Sequence, residues 1–202
     1  MFNSTLIIGL VTTCITSVLI GFSSPFLNIW LGESFGEYHL WLDIKLITLP
    51  FYASAGIFAF VYRAWNRVKF PAVVTVIIGA FTVLISYFFG SISDESGRHI
   101  AYILCFNALF CFIQTYVLGV YMVKAIYGDI SYMRFVNVLQ KNIVLMILTI
   151  AAARLISSYV NIDSWMILVL LSTLIGGVSI GIAYTLILNK EQKLYLHKLI
   201  NR

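Results

Sequence analysis

Arg154 is the one charged residue that stands well inside an apolar stretch of this chain, in the run AAARLISSY. An arginine at the centre of a bilayer costs about 2.5–3.5 kcal/mol on insertion scales, so it serves a hydrated cavity, a counter-charge or the interface. All three roles are open here. Ala151, Ala152 and Ala153 leave room for a ligand or a neighbouring helix, and Asp43 and Asp163 are the available counter-charges. Asn161 follows seven residues later, roughly 10 Å along a helix, which also brings the interface within reach of the long side chain.

A second group lies on one helical face. Asn107, Cys111, Gln114, Thr115 and Tyr121 stand at offsets of 4, 7, 8 and 14 from the first, with Leu118 interrupting the stripe at offset 11. Two amides one above the other either line a hydrated cavity or hold helices together by hydrogen bonds. Lys45, with Asp43 beside it, either guides an anionic headgroup or marks an interface. Arg63, Arg67 and Lys69 could contact phosphate, although topology selection and attraction to anionic lipid also account for them. Arg154, Asn107, Gln114 and Lys45 are the candidate substrate-binding residues.

Signatures of catalysis are mostly absent from the sequence. His39, His99 and His197 stand alone, without HExxH or other ligand spacing. Cys14, Cys105 and Cys111 form no CxxC pair. There is no P-loop, and the acidic SISDESG segment lacks the EF-hand spacing. No catalytic residue, metal or cofactor is expected, and the chain does not read as an enzyme.

The elements that must position these residues follow from composition. Of 202 residues 61% are hydrophobic and only 10% charged, with a mean hydropathy of +0.97. That is too little charge to coat a soluble globule, so the solvent is a bilayer. A nucleic-acid-binding domain is excluded despite the net charge of +5. A spanning helix needs about 20 apolar residues, and six windows qualify: roughly 6–26, 42–62, 70–89, 100–123, 142–160 and 165–188. Their length and continuity argue for helices over alternating barrel strands. The expectation is an all-α membrane protein, one domain over 1–202, built as a bundle of six transmembrane helices.

The charges outside the spans divide by sign. Ten of the thirteen Lys and Arg residues fall on one side: Arg63, Arg67, Lys69, Lys124, Arg134, Lys141, Lys190, Lys193, Lys198 and Arg202. Glu33, Glu37, Asp43, Asp94, Glu95 and Asp163 fall on the other, with Lys45 and Arg98. The positive-inside rule places the basic side, and with it both termini, in the cytoplasm. Trp30, Trp41 and Trp165 mark the outer interface and Trp65 the inner one.

The first span has no Lys or Arg before it, which argues against a cleaved signal peptide and suggests orientation by later spans or by helices of a longer chain. Gly9, Thr13, Thr16 and Ser17, Ser172, Gly176 and Ser179, and the GxxxG of Gly177 and Gly181 predict close helix packing. Pro50 predicts a break near the outer end of the second span.

Three segments carry a resemblance. SSPFLNIWLGESF closes the first span; VYRAWNRVKFPAVVTVIIGAFTVLISYFF runs from a basic linker through a proline into an Ile/Val-rich helix; and IQTYVLGVYMVKAIYGDISYMRF precedes two more helices and a basic tail. Together they resemble the C-terminal part of polysaccharide or O-antigen flippases of the multidrug/oligosaccharidyl-lipid/polysaccharide exporter superfamily. The resemblance implies transport of a polyprenyl-pyrophosphate-linked oligosaccharide across the cytoplasmic membrane, through a cavity whose arginines neutralise pyrophosphate, with Arg154 as the candidate. It also implies two lobes, so six spans would be one lobe, with membrane lipids around it and a second six-helix lobe or another copy of itself as partner. A drug or cation exporter of the same superfamily would need intramembrane acids, and the spans contain none. A non-catalytic membrane assembly subunit is the alternative from another class.

Overall fold

The computed structural model describes residues 2–91, 96–128 and 132–200. Asp94, Glu95 and Arg202, assigned above by side, lie outside them, as do the side chains of Arg98, His99 and Lys198. Among the described residues the chain is helical without strands, and six stretches are long and apolar enough to cross a membrane: Asn3–Gly21, Glu33–Ala64, Lys69–Phe89, Tyr102–Tyr127, Tyr132–Tyr159 and Trp165–Ile187. The protein is a multi-pass membrane protein.

The first predicted span is two helices, α1 (Phe2–Gly21) and α2 (Ser23–Leu31), joined at Phe22. Helix α1 is the axis of the bundle. It packs against α4, α7 and α8, and 61% of its apolar window is enclosed, against 6% for the third span at the periphery. The hydroxyls of its middle turns survive there because their own helix satisfies them. Thr12, Thr13, Thr16 and Ser17 each donate a hydroxyl to a carbonyl four residues earlier.

The second predicted span is also divided. After a short 3₁₀ helix, Glu33–Tyr38, come α3 (His39–Leu46) and α4 (Leu49–Ala64), separated at Ile47 and Thr48. Pro50 sits in the first turn of α4, where its missing N–H costs nothing, so the break falls just before the proline as predicted. Helix α4 ends on Trp65 as C-cap. Asn66 then takes the left-handed conformation (φ 56°), and the N–H groups of Asn66 and Arg67 donate back to Arg63 and Tyr62. This is the Schellman ending, which points the chain back into α5 (Lys69–Ser91).

Helix α6 covers Ser96–Tyr127 and α7 covers Tyr132–Tyr159. The fifth predicted span is therefore too short at its start. Arg134 and Lys141, expected in a loop, stand on the first turns of α7, which at 28 residues runs about 42 Å and overshoots a hydrocarbon core of about 30 Å. The last span, α8 (Trp165–Ile182), ends in a π-helical turn, Ala183–Ile187. A further amphipathic helix follows, α9 (Lys190–Ile200), where the sequence suggested only a basic tail. Tyr195 Oη of α9 lies 3.0 Å from Ser4 Oγ of α1, so the two ends of the chain meet at one end of the bundle. Arg63, Lys69, Lys124 and Lys193 gather at this basic end; Glu33, Glu37 and Asp163 stand at the other.

Three clusters of buried side chains hold the bundle. Phe51, Phe58, Phe135 and Leu139 anchor the largest, where α4, α6 and α7 meet, with the Phe58 and Phe135 rings edge to face at 5.4 Å. Gly9 of α1 lets Ser54 of α4 and Asn142 of α7 approach so closely that a Cβ there would overlap both. Asn142 Nδ2 donates to Ser54 Oγ at 3.1 Å, and Ser54 donates on to Pro50 O. Gly176 reaches Val18, and Ser179 pairs with Thr149 at 2.7 Å. Gly177 and Gly181 do not behave as predicted. Open space surrounds both, because the α8 face that packs inward is the one carrying Ile175 and Ser179, and the GxxxG ridge points away from it.

Candidate functional site

Between α4, α5 and α6 lies a cleft of about 590 Å³. It exists because its walls are short of side chains. Ala55, Gly56 and Ala59 of α4 face Ala72 of α5, and a Cβ on Gly56 would meet nothing. Gln114 and Thr115 of α6 and Thr75 of α5 supply the polar groups. Gln114 Nε2 donates to Thr75 Oγ1 at 2.8 Å, and Thr75 donates to Pro71 O. The Gln114 amide keeps its carbonyl oxygen and a second N–H for a guest.

Arg63, in the last turn of α4, lines the cleft at the basic end, its guanidinium 5.6 Å from the centre of the Phe60 ring. Its charge complements the helix C-terminus there. Tyr121 closes that end by packing on Phe70 and Tyr62, at 4.2 and 6.0 Å between ring centres. The cleft thus offers an apolar trough, an amide-hydroxyl pair within it and one cation at the end of the bundle.

The four sequence candidates separate. Gln114 is in the cleft, and Cys111 and Thr115 of the same stripe line it as well, as does Leu118, which only interrupts their polarity. Asn107, two turns nearer the acidic end, has its Oδ1 3.5 Å from Lys45 Nζ, a long contact. Arg154 does not reach the cleft. Its Nη2 is 2.7 Å from Asp43 Oδ2, and this ion pair ties α7 to α3, with the arginine side chain 50% exposed and the aspartate side chain 11%. Asp163, the other expected counter-charge, accepts instead from Asn161. Arg154 and Lys45 therefore belong to a cluster around α3, toward the acidic end and separate from the cleft that holds Gln114.

Tyr52 and Thr75 were not singled out by the sequence, since a lone tyrosine and a lone threonine in apolar helices carry no pattern. The small residues after Pro50 were the available signal of a hollow.

No protein-family profile matches the chain, and no solved structure matches it. The chain is 31% identical over 85 residues to the uncharacterized membrane protein EpsK of Bacillus subtilis (strain 168). The match takes in 39% of this chain and 15% of that protein, so the chain corresponds to a minor part of its relative's length.

Proposed function

We propose that the chain forms one lobe of a transporter that moves a polyprenyl-pyrophosphate-linked oligosaccharide across the cytoplasmic membrane. The observation that carries this reading is the composition of the cleft: apolar walls, the Gln114–Thr75 pair inside, and Arg63 at the basic end. Such a substrate has three parts with different solvents. Sugar hydroxyls exchange hydrogen bonds with amides and hydroxyls, pyrophosphate requires a cation, and the polyprenyl tail stays in hydrocarbon. The cleft offers a surface for each, and the peripheral helix α5 lets the tail leave sideways into lipid.

The test is leaflet transfer of a fluorescent polyprenyl-pyrophosphate disaccharide in proteoliposomes, read by quencher accessibility. Gln114→Leu and Arg63→Gln are each expected to slow transfer about tenfold, the loss of roughly 1.4 kcal/mol that one hydrogen bond to a charged or polar group supplies. Wild-type rates in both variants would remove the cleft from the transport path.

A further inference from the structure

A second cavity, of about 320 Å³, opens at the basic end where α1, α7 and α9 begin. Arg134, Asn137 and Lys141 line it from α7, Asn3 from α1, and Asn189 and Gln192 from the start of α9. It shares no residue with the α4–α6 cleft.

Its donors are arranged with capacity to spare. Lys141 Nζ donates to Ile187 O at 3.0 Å, which caps the carbonyl left by the π-helical turn and fixes the ammonium at the pocket while two of its three hydrogens stay available. Gln192 uses its Oε1 to accept from the Asn189 backbone N–H, and its amide hydrogens are not spent on that bond. Arg134 is exposed and joins no ion pair among the described residues, nor does Glu191 at the rim. Leu6 and Val138, both buried, form an apolar floor. Depth is given by Asn3, where the first spanning stretch starts, and by Arg134, in the first turn of α7, whose spanning stretch starts at Tyr132. The pocket therefore lies at the membrane interface, with two cations, the Glu191 carboxylate and four amide side chains above an apolar base.

We propose that this pocket holds the phosphate group of an anionic phospholipid headgroup. Arg134 and Lys141 neutralise the phosphate, the amides of Asn3, Asn137 and Gln192 bond its oxygens or the headgroup hydroxyls, and the glycerol backbone rests on Leu6 and Val138. Basic pockets between spanning helices are suited to this chemistry, because the bilayer presents phosphate at that depth. The site ties α9 to α1 and α7 through a lipid.

Native mass spectrometry of the delipidated chain in detergent tests this, titrated separately with dioctanoyl phosphatidylglycerol, dioctanoyl phosphatidylcholine and inorganic phosphate. Phosphatidylglycerol is expected to bind at least about fivefold more tightly than phosphatidylcholine, and Arg134→Gln to weaken it about fivefold, the effect of one cation near a phosphate. Arg67→Gln, at the same end but outside the pocket, is expected to change binding by less than about twofold, since screening weakens a distant charge. Arg134→Gln removes no contact within the protein, so its melting temperature without lipid should match wild type. Equal binding of both phospholipids, or equal loss in the Arg67 and Arg134 variants, would reduce the site to a diffuse basic surface. Inorganic phosphate binding as tightly as phosphatidylglycerol would overturn the lipid assignment in favour of free phosphate.

Discussion

Asp43 is buried and Arg154 is half in solvent, and this asymmetry decides what each contributes. Removing the arginine takes the ion-pair partner from a largely buried carboxylate, whereas removing both charges strands nothing. Arg154→Ala is expected to destabilise the protein by about 1–3 kcal/mol, the lower end reflecting the exposure of the guanidinium, and Asp43→Asn with Arg154→Gln to recover most of that. Thermal unfolding in detergent, run as a double-mutant cycle, measures it. If the double variant also keeps transfer of the lipid-linked saccharide, the pair is architectural. Arg154 was legible in the sequence as a residue needing an explanation, because charge in an apolar run always does. Its partner was not: Asp43 and Asp163 are both near the acidic end of the bundle, and only the fold of α3 against α7 decides between them.

At the scale of helices, spacing reveals which face is small but not what lies opposite. Gly9 and Gly177 are both glycines in apolar spans, yet one meets two polar side chains and the other meets open space. Gly9→Ala is expected to cost about 1–3 kcal/mol through overpacking against Ser54 and Asn142. Gly177→Ala should be neutral or stabilising by up to about 1 kcal/mol, since only helix propensity changes. Chemical unfolding of the two variants in the same detergent distinguishes them, and a similar loss in both would contradict the packing described for α1. The start of α7 and the whole of α9 escaped the sequence reading for one reason. Charged and amide residues there break the apolar window that identifies a span, although Arg134, Asn137 and Lys141 stand on a continuous helix. The division of the second span at Pro50 was legible, because a proline's missing donor acts locally.

For the molecule as a whole, the length and continuity of the apolar runs were enough to specify six helical crossings, since only helices and closed barrels satisfy the backbone across lipid and barrel strands are short and alternating. The separation of charge predicts that the end carrying Arg63, Lys69, Lys124 and Lys193 faces the cytoplasm. In a background with Cys14, Cys105 and Cys111 replaced by serine, Glu37→Cys should react with an impermeant maleimide on intact cells and Lys193→Cys only after permeabilisation. The opposite pattern would invert the protein and move the phosphate pocket to the outer leaflet.

The self-bonded hydroxyls of α1 matter for how the protein is made. The residues that enclose Gly9 include Asn142, more than a hundred positions later, and at roughly 5–20 residues per second the ribosome needs on the order of ten seconds to deliver them. Through that wait α1 must sit in the bilayer without α7. Because Thr12, Thr13, Thr16 and Ser17 spend their hydroxyl protons on their own helix, they demand nothing from the surroundings in the interval, and the helix that ends as the hub of the bundle can wait in the bilayer for α7 to arrive.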